Sequence, residues 1–155
     1  PRQRRPSGEH QPVEQLARRA VGYGYDPEKK SWIRYGIIDQ MRYLPYDDPA
    51  RHAECGGGLF STAADMARLA QMIANHGVFN GRRIISLESL REICRRQTPG
   101  TIEHAYGLGS DVGLVGHGGA WGTKMQVNLD QQQGALLLLQ RIGDWPENPR
   151  MVCGW

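Results

Sequence analysis

The spacing of apolar residues changes period once along this chain, and that change constrains the fold more than any other feature. Between residues 62 and 97 apolar side chains recur at helical spacing, whereas from 106 to 141 they alternate. Helices in the middle and strands at the end make an antiparallel sheet with helices packed on it. The predicted class is therefore α+β.

The helical part carries its own boundary signals. Thr62 is placed as an N-cap with Asp65 three residues on, a capping-box arrangement that also sets a carboxylate at the positive end of the dipole. Met66, Leu69, Ala70 and Ile73 then form one apolar stripe, and Asn75-His76-Gly77 supplies the stop. A second helix starts at Ser86, with Ile85 and Leu90 spaced as a hydrophobic staple. Its inner face is Leu87, Leu90, Ile93 and Cys94, and Thr98-Pro99-Gly100 predicts an end near Gln97.

Strands are predicted at Tyr106–Val112, Leu114–Gly118, Lys124–Leu129 and Ala135–Arg141, the last two joined by a turn at Asp130–Gly134. Met125, Val127 and Leu129 alternate with polar residues, so that strand has one wet face. Ala135–Leu139 is apolar on both faces and reads as the central strand. Nearer the start, residues 1–19 form an irregular basic lead-in, with a short helical turn near Val13–Arg19. The body of the domain is 20–155. Ala20–Tyr25 and Ser31–Tyr35 read as a hairpin across a polar turn, followed by a long irregular connection over 36–55.

Composition excludes several function classes. A formal charge of +3 with no binding motif gives no reason to expect a nucleic-acid partner, and the arginines at 2, 4, 5, 18 and 19 read as a solvated face. The longest apolar run, Ala135–Leu139, is too short to span a bilayer. Cys55, Cys94 and Cys153 fit no disulfide framework and read as free thiols. The five histidines, His10, His52, His76, His104 and His117, show no ligand spacing, so neither metal nor cofactor is predicted. Gly56-Gly57-Gly58 is not a phosphate loop, because no Gly-Lys-Ser/Thr follows it. His52 and Cys55 are not read as a thiol pair, and Ser61 is read as capping rather than nucleophilic.

Two stretches carry a family resemblance. One runs Cys55-Gly-Gly-Gly-Leu-Phe-Ser-Thr-Ala-Ala-Asp-Met-Ala-Arg-Leu69 and continues to Asn80-Gly-Arg-Arg-Ile-Ile-Ser86. The other is Tyr106-Gly-Leu-Gly109 followed by Gly116-His-Gly-Gly-Ala-Trp-Gly-Thr123. In this order they resemble the later part of the β-lactamase-type serine hydrolases, a group with class C β-lactamases, D-alanyl-D-alanine peptidases and esterases. The resemblance covers about residues 20–141 and implies a partial β-lactamase/transpeptidase-like fold. It also implies a small ester, amide or peptide substrate cleaved through an acyl-serine.

The family's third motif, Lys-Thr-Gly or His-x-Gly, is matched by His117-Gly118-Gly119. By resemblance His117 and Ala120 are the catalytic positions, Ala120 offering a backbone N–H to the oxyanion, and Gly118 and Gly119 admit substrate against the strand. Histidine where many β-lactamases carry lysine favours ester or peptide substrates over cephalosporins. The family's other two motifs, Ser-x-x-Lys and Tyr-x-Asn, occur nowhere in the sequence. The expectation is that the segment bearing them is missing, that this chain alone is inactive, and that its uncovered sheet promotes self-association. The alternative is a non-catalytic binding module of the same fold.

Overall fold

The structure, a computed structural model, describes residues 16–36, 44–46, 48, 50–51 and 60–142. In chain order the elements are β1 (Tyr23–Asp26), β2 (Ser31–Arg34), α1 (Ala63–Ala74), β3 (Val78–Phe79) and β4 (Arg82–Arg83), then α2 (Leu87–Ile93), β5 (Val115–Gly118), β6 (Lys124–Asn128), β7 (Gln133–Leu137) and β8 (Arg141–Ile142). Among the described residues two helices and three small sheets make the class α+β. The chain divides into two compact units, one holding β1, β2 and β8, the other Ser61–Leu139.

Within the larger unit, α1 begins where its capping chemistry puts it. The Thr62 hydroxyl accepts from the Asp65 N–H at 3.2 Å and donates to the Asp65 carboxylate at 2.8 Å. The helix ends in a Schellman motif, with the His76 N–H on the Ile73 carbonyl and the Gly77 N–H on the Met72 carbonyl, each at 2.9 Å. His76 takes the left-handed conformation (φ 54°), and its Nε2 lies 2.9 Å from the Leu129 carbonyl oxygen at the end of β6. The side chain thus ties the helix terminus to the sheet.

The predicted apolar stripe is corrected in one respect. Ala70, Ile73 and Ala74 are buried, but Leu69 is 39% exposed. The cause is close packing of α1 on β6 and β7, which turns its small residues inward. A Cβ on Gly134 would sit 3.6 Å from the Ala70 Cβ and 3.3 Å from Val127. Met72, not Leu69, is packed against the core.

A two-residue hairpin joins β3 to β4 through Asn80 (φ 48°) and Gly81 (φ 74°), the positive angles of a type I′ turn. Ser86 then caps α2, its hydroxyl accepting from the Ser89 N–H at 3.0 Å. Leu90 and Cys94 are buried, and Ile85, Leu87 and Ile93 pack beside them. The helix stops at Ile93, not near Gln97. Its last carbonyls find donors outside the helix: Leu108 N–H to Ile93 at 2.8 Å and Gly113 N–H to Cys94 at 3.0 Å. Those same bonds prevent 106–112 from forming the predicted strand. That segment keeps only an isolated bridge, Tyr106 to Asp111, and turns at Gly109 and Gly113, both at positive φ.

Beyond α2, Arg95 grips Glu92 with two hydrogen bonds of 2.7 Å, and Gln97 adds a third at 2.9 Å. These bonds, the Arg95 pair foremost, lower the Glu92 pKa from 4.5 to about 2. A carboxyl depressed on folding contributes stability above its unfolded pKa and loses it as pH falls through the folded value. Urea midpoints should therefore drop between pH 4.5 and about 2. Glu92→Gln should remove part of that drop. The exposed pair keeps the effect small.

The principal sheet has the order β5-β6-β7, antiparallel throughout, with Val127 opposite both Val115 and Gly134. Val127 is fully buried, and Leu129 nearly so, which is the predicted alternation. The expectation that Ala135–Leu139 is central is wrong. Among the described residues β6 is central and β7 is an edge strand, with four of its five residues exposed. Its apolar run reflects a face and an edge without cover among the described residues. The core of this unit is Ala70, Ile73, Ala74, Leu90, Cys94, Val115, Val127 and Leu129.

The smaller unit contains the predicted hairpin. Asp26 Oδ1 accepts from the Glu28 and Lys29 N–H groups, its carboxylate pairs with Lys29 at 3.2 Å, and Lys30 turns at φ 49°. β8 adds to β1 in parallel, a long-range pairing. Arg19 stacks on the Tyr46 ring at 4.2 Å, so it is not merely a solvated charge. The predicted turn near Val13–Arg19 is described from Leu16, whose carbonyl accepts from the Arg19 N–H at 3.2 Å. Residues 1–15, 37–43, 47, 49 and 52–59, including His10, His52, Cys55 and Gly56-Gly57-Gly58, lie outside the described residues, as does Cys153.

Candidate active site

Edge strand β5 carries the matched motif, and its backbone is held by one buried serine. Ser110, 1% exposed, donates to the Leu114 carbonyl at 2.6 Å and accepts from the Gly116 N–H at 2.8 Å. This hydroxyl is spent on backbone and is no nucleophile. Ser110→Ala should cost about 1–3 kcal/mol, because it leaves the Gly116 N–H without its acceptor. Thermal melts of the two proteins measure the difference. Gly116 itself sits at φ 144°, where a Cβ would lie 2.0 Å from the Met125 carbonyl oxygen. Only glycine fits there.

His117 pairs across the sheet with Met125, and its side chain is exposed. The ring of Tyr106 meets it edge-on, with centroids 5.6 Å apart and planes at 85°. His104 lies near Tyr106 at 5.8 Å, making a row of three rings. Residue spacing alone carries no sign of this row. The Tyr106-Gly-Leu-Gly motif was a signal for the segment, but the contact depends on how the loop folds back.

After Gly118 the chain turns. The Gly119 N–H donates to the Thr123 carbonyl at 2.7 Å, and the Gly122 N–H to the Gly119 carbonyl at 3.0 Å. Neither Ala120 nor Trp121 has a positive φ, while Gly122 does (75°). That combination is a type I turn followed by a G1 bulge, which is a three-residue hairpin loop. Ala120 occupies the first central position, where the N–H points away from the turn. It is exposed, and no group among the described residues accepts from its N–H. A Cβ on Gly119 would come within 2.5 Å of the Thr123 hydroxyl oxygen, which would have to rotate aside. The motif thus ends in a fixed, solvent-facing donor beside a strand without side-chain bulk at 118 and 119.

The other candidates are placed as follows. Ser61 is exposed and precedes the capping Thr62. Cys94 is a buried free thiol in the core. Among the described residues there is no cluster of His, Cys, Asp or Glu able to hold a metal ion. No helix there is long and apolar enough to cross a membrane.

β5 ends in His117-Gly118, the first two residues of the matched motif. The family model described as Beta-lactamase matches residues 3–150, and the chain belongs to that family. Two relatives from Mycobacterium tuberculosis, Protein Rv1367c of strain H37Rv and Uncharacterized protein MT1414 of strain CDC 1551 / Oshkosh, are each 32% identical over 72 residues. The match takes in 43% of this chain and 18% of each relative, so the chain spans well under two thirds of their length.

Proposed function

We propose that this chain forms the third-motif wall of a serine hydrolase acting on small ester, amide or peptide substrates, with the acylated serine carried outside these residues. The observation that supports this reading is the Ala120 N–H, held outward by the type I turn directly after His117-Gly118-Gly119. A donor fixed before reaction is what a developing oxyanion needs. Gly118 and Gly119 let a substrate backbone lie against the strand, and His117 donates a hydrogen bond to it or assists proton transfer.

His117 where many β-lactamases carry a lysine argues for esters or peptides over cephalosporins, since the site then lacks a permanent cation for a substrate carboxylate. The test joins this chain to a segment carrying Ser-x-x-Lys and Tyr-x-Asn and compares short-chain esters with cephalosporins. Higher kcat/KM for the ester supports the reading, and a much higher value for the cephalosporin overturns the preference. No turnover of either would favour the non-catalytic binding module.

The same reading carries a physical consequence for the chain alone. β7 leaves an edge open among the described residues, with Leu137, Leu138 and Leu69 exposed in the same unit. Open edges and apolar patches recruit other chains. Light scattering at several concentrations should show oligomers or aggregates. A monomer at every concentration, melting in one sharp transition, would contradict this.

A further inference from the structure

We infer that Tyr106 is a positioning residue for His117. His117 is the exposed residue of β5, an edge strand among the described residues, where the backbone alone leaves several side-chain rotamers open. An edge-on ring contact favours one of them, and Tyr106 makes that contact at 5.6 Å and 85°.

Tyr106 can act as a reference because it is itself held on both sides. Its N–H donates to the Thr98 hydroxyl at 3.1 Å, and its carbonyl accepts from the Gln97 N–H at 2.8 Å. The Thr98 hydroxyl in turn donates to the His104 carbonyl at 3.1 Å, which closes the 98–106 loop. A few residues on, Ser110 bonds the backbone of Gly116, next to His117. One segment therefore fixes both the strand position of His117 and the direction of its ring. This coupling explains why a tyrosine and a buried serine four residues apart serve the same histidine.

The positioning itself does not depend on the proposed hydrolase activity, but its kinetic consequence does, so the two are tested separately. For the first, the 155-residue chain carries protonated, labelled histidine and tyrosine rings in an otherwise deuterated background, which tolerates an oligomer. A ring-to-ring nuclear Overhauser effect between Tyr106 and His117 is expected in the unmodified chain. Tyr106→Leu should shift the His117 ring resonances toward those of a free imidazole, and Tyr106→Phe should leave them in place. Absence of the cross-peak, or His117 resonances unmoved in Tyr106→Leu, overturns the inference. If Tyr106→Leu fails to fold, the cross-peak and the Tyr106→Phe spectrum decide. For the second, in the polypeptide joined to the proposed serine segment, Tyr106→Leu should lower kcat by on the order of tenfold with KM little changed. Tyr106→Phe should restore the rate. A preserved ring signature with no rate loss in either Tyr106→Leu or His117→Ala would overturn the hydrolase role of His117 and support positioning alone.

Discussion

Ala120→Pro, made in the polypeptide that carries both this chain and the proposed serine, is expected to lower kcat by about 10²–10³-fold, the usual effect of removing one oxyanion donor. The substitution deletes the N–H and little else. The first central position of a type I turn is where proline is best tolerated, because its fixed φ matches the turn. The bonds that shape the hairpin, Gly119 N–H to Thr123 and Gly122 N–H to Gly119, do not involve the Ala120 N–H. Folding should therefore survive, which an amide spectrum of β5 and β6 would show. An unchanged kcat in a folded Ala120→Pro protein would remove Ala120 from the reaction. KM should change far less, since the donor matters most where charge develops.

Gly116→Ala is expected to be the most destabilising single-methyl change in the strand, by about 2–6 kcal/mol. That range adds overpacking of about 1–3 kcal/mol to backbone strain of similar size. The added Cβ would fall 2.0 Å from the Met125 carbonyl oxygen, a backbone atom that cannot rotate aside, and φ is 144°. Against a typical total stability of about 5–15 kcal/mol, such a loss removes a large part of the margin that keeps a domain folded. Gly81→Ala is the control. Its φ is also positive (74°), but nothing lies within 4 Å of the new Cβ, so only the left-handed penalty of about 1–2 kcal/mol applies. Urea unfolding of both variants separates clash from conformation. Equal losses would mean that β5 gives way at Gly116 at little cost.

The parts of the fold that were legible in the sequence are those set by local chemistry. Thr62 and Ser86 announce helix starts because an N-cap satisfies donors a few atoms away, and Gly77 announces a stop for the same reason. Met125, Val127 and Leu129 alternate because one face of β6 is buried. What could not be read depends on distant partners. Ala135–Leu139 was expected at the centre of the sheet because it is apolar on both faces, but strand order is decided by which neighbours pair, and among the described residues β7 pairs with β6 alone. Arg95, Arg96 and Gln97 suit a helix, yet α2 ends before them because loop N–H groups reach its last carbonyls. The β3–β4 hairpin was missed, although Asn80-Gly81 is a dipeptide that suits its type I′ turn.

For the site, residue types carried the motif and geometry carried the rest. His117-Gly118-Gly119 could be recognised as a pattern, and Ala120 followed from its place after it. That Ala120 opens a type I turn depends on Gly122 adopting a positive φ and on the Thr123 pairing, which lie downstream. Ser110 could be dismissed as a nucleophile for want of a lysine three residues on, but its bonds to Leu114 and Gly116 needed coordinates.

The central claim is that these residues wall a hydrolase site without supplying its nucleophile, and intact mass after treatment with a serine-acylating probe tests it most directly. The 17.4 kDa chain should remain unmodified. The polypeptide joined to the Ser-x-x-Lys segment should gain one adduct, mapped to the serine of that segment and formed more slowly in Ala120→Pro. A stoichiometric adduct on a serine of the 155-residue chain, lost when that serine is replaced, would contradict the claim.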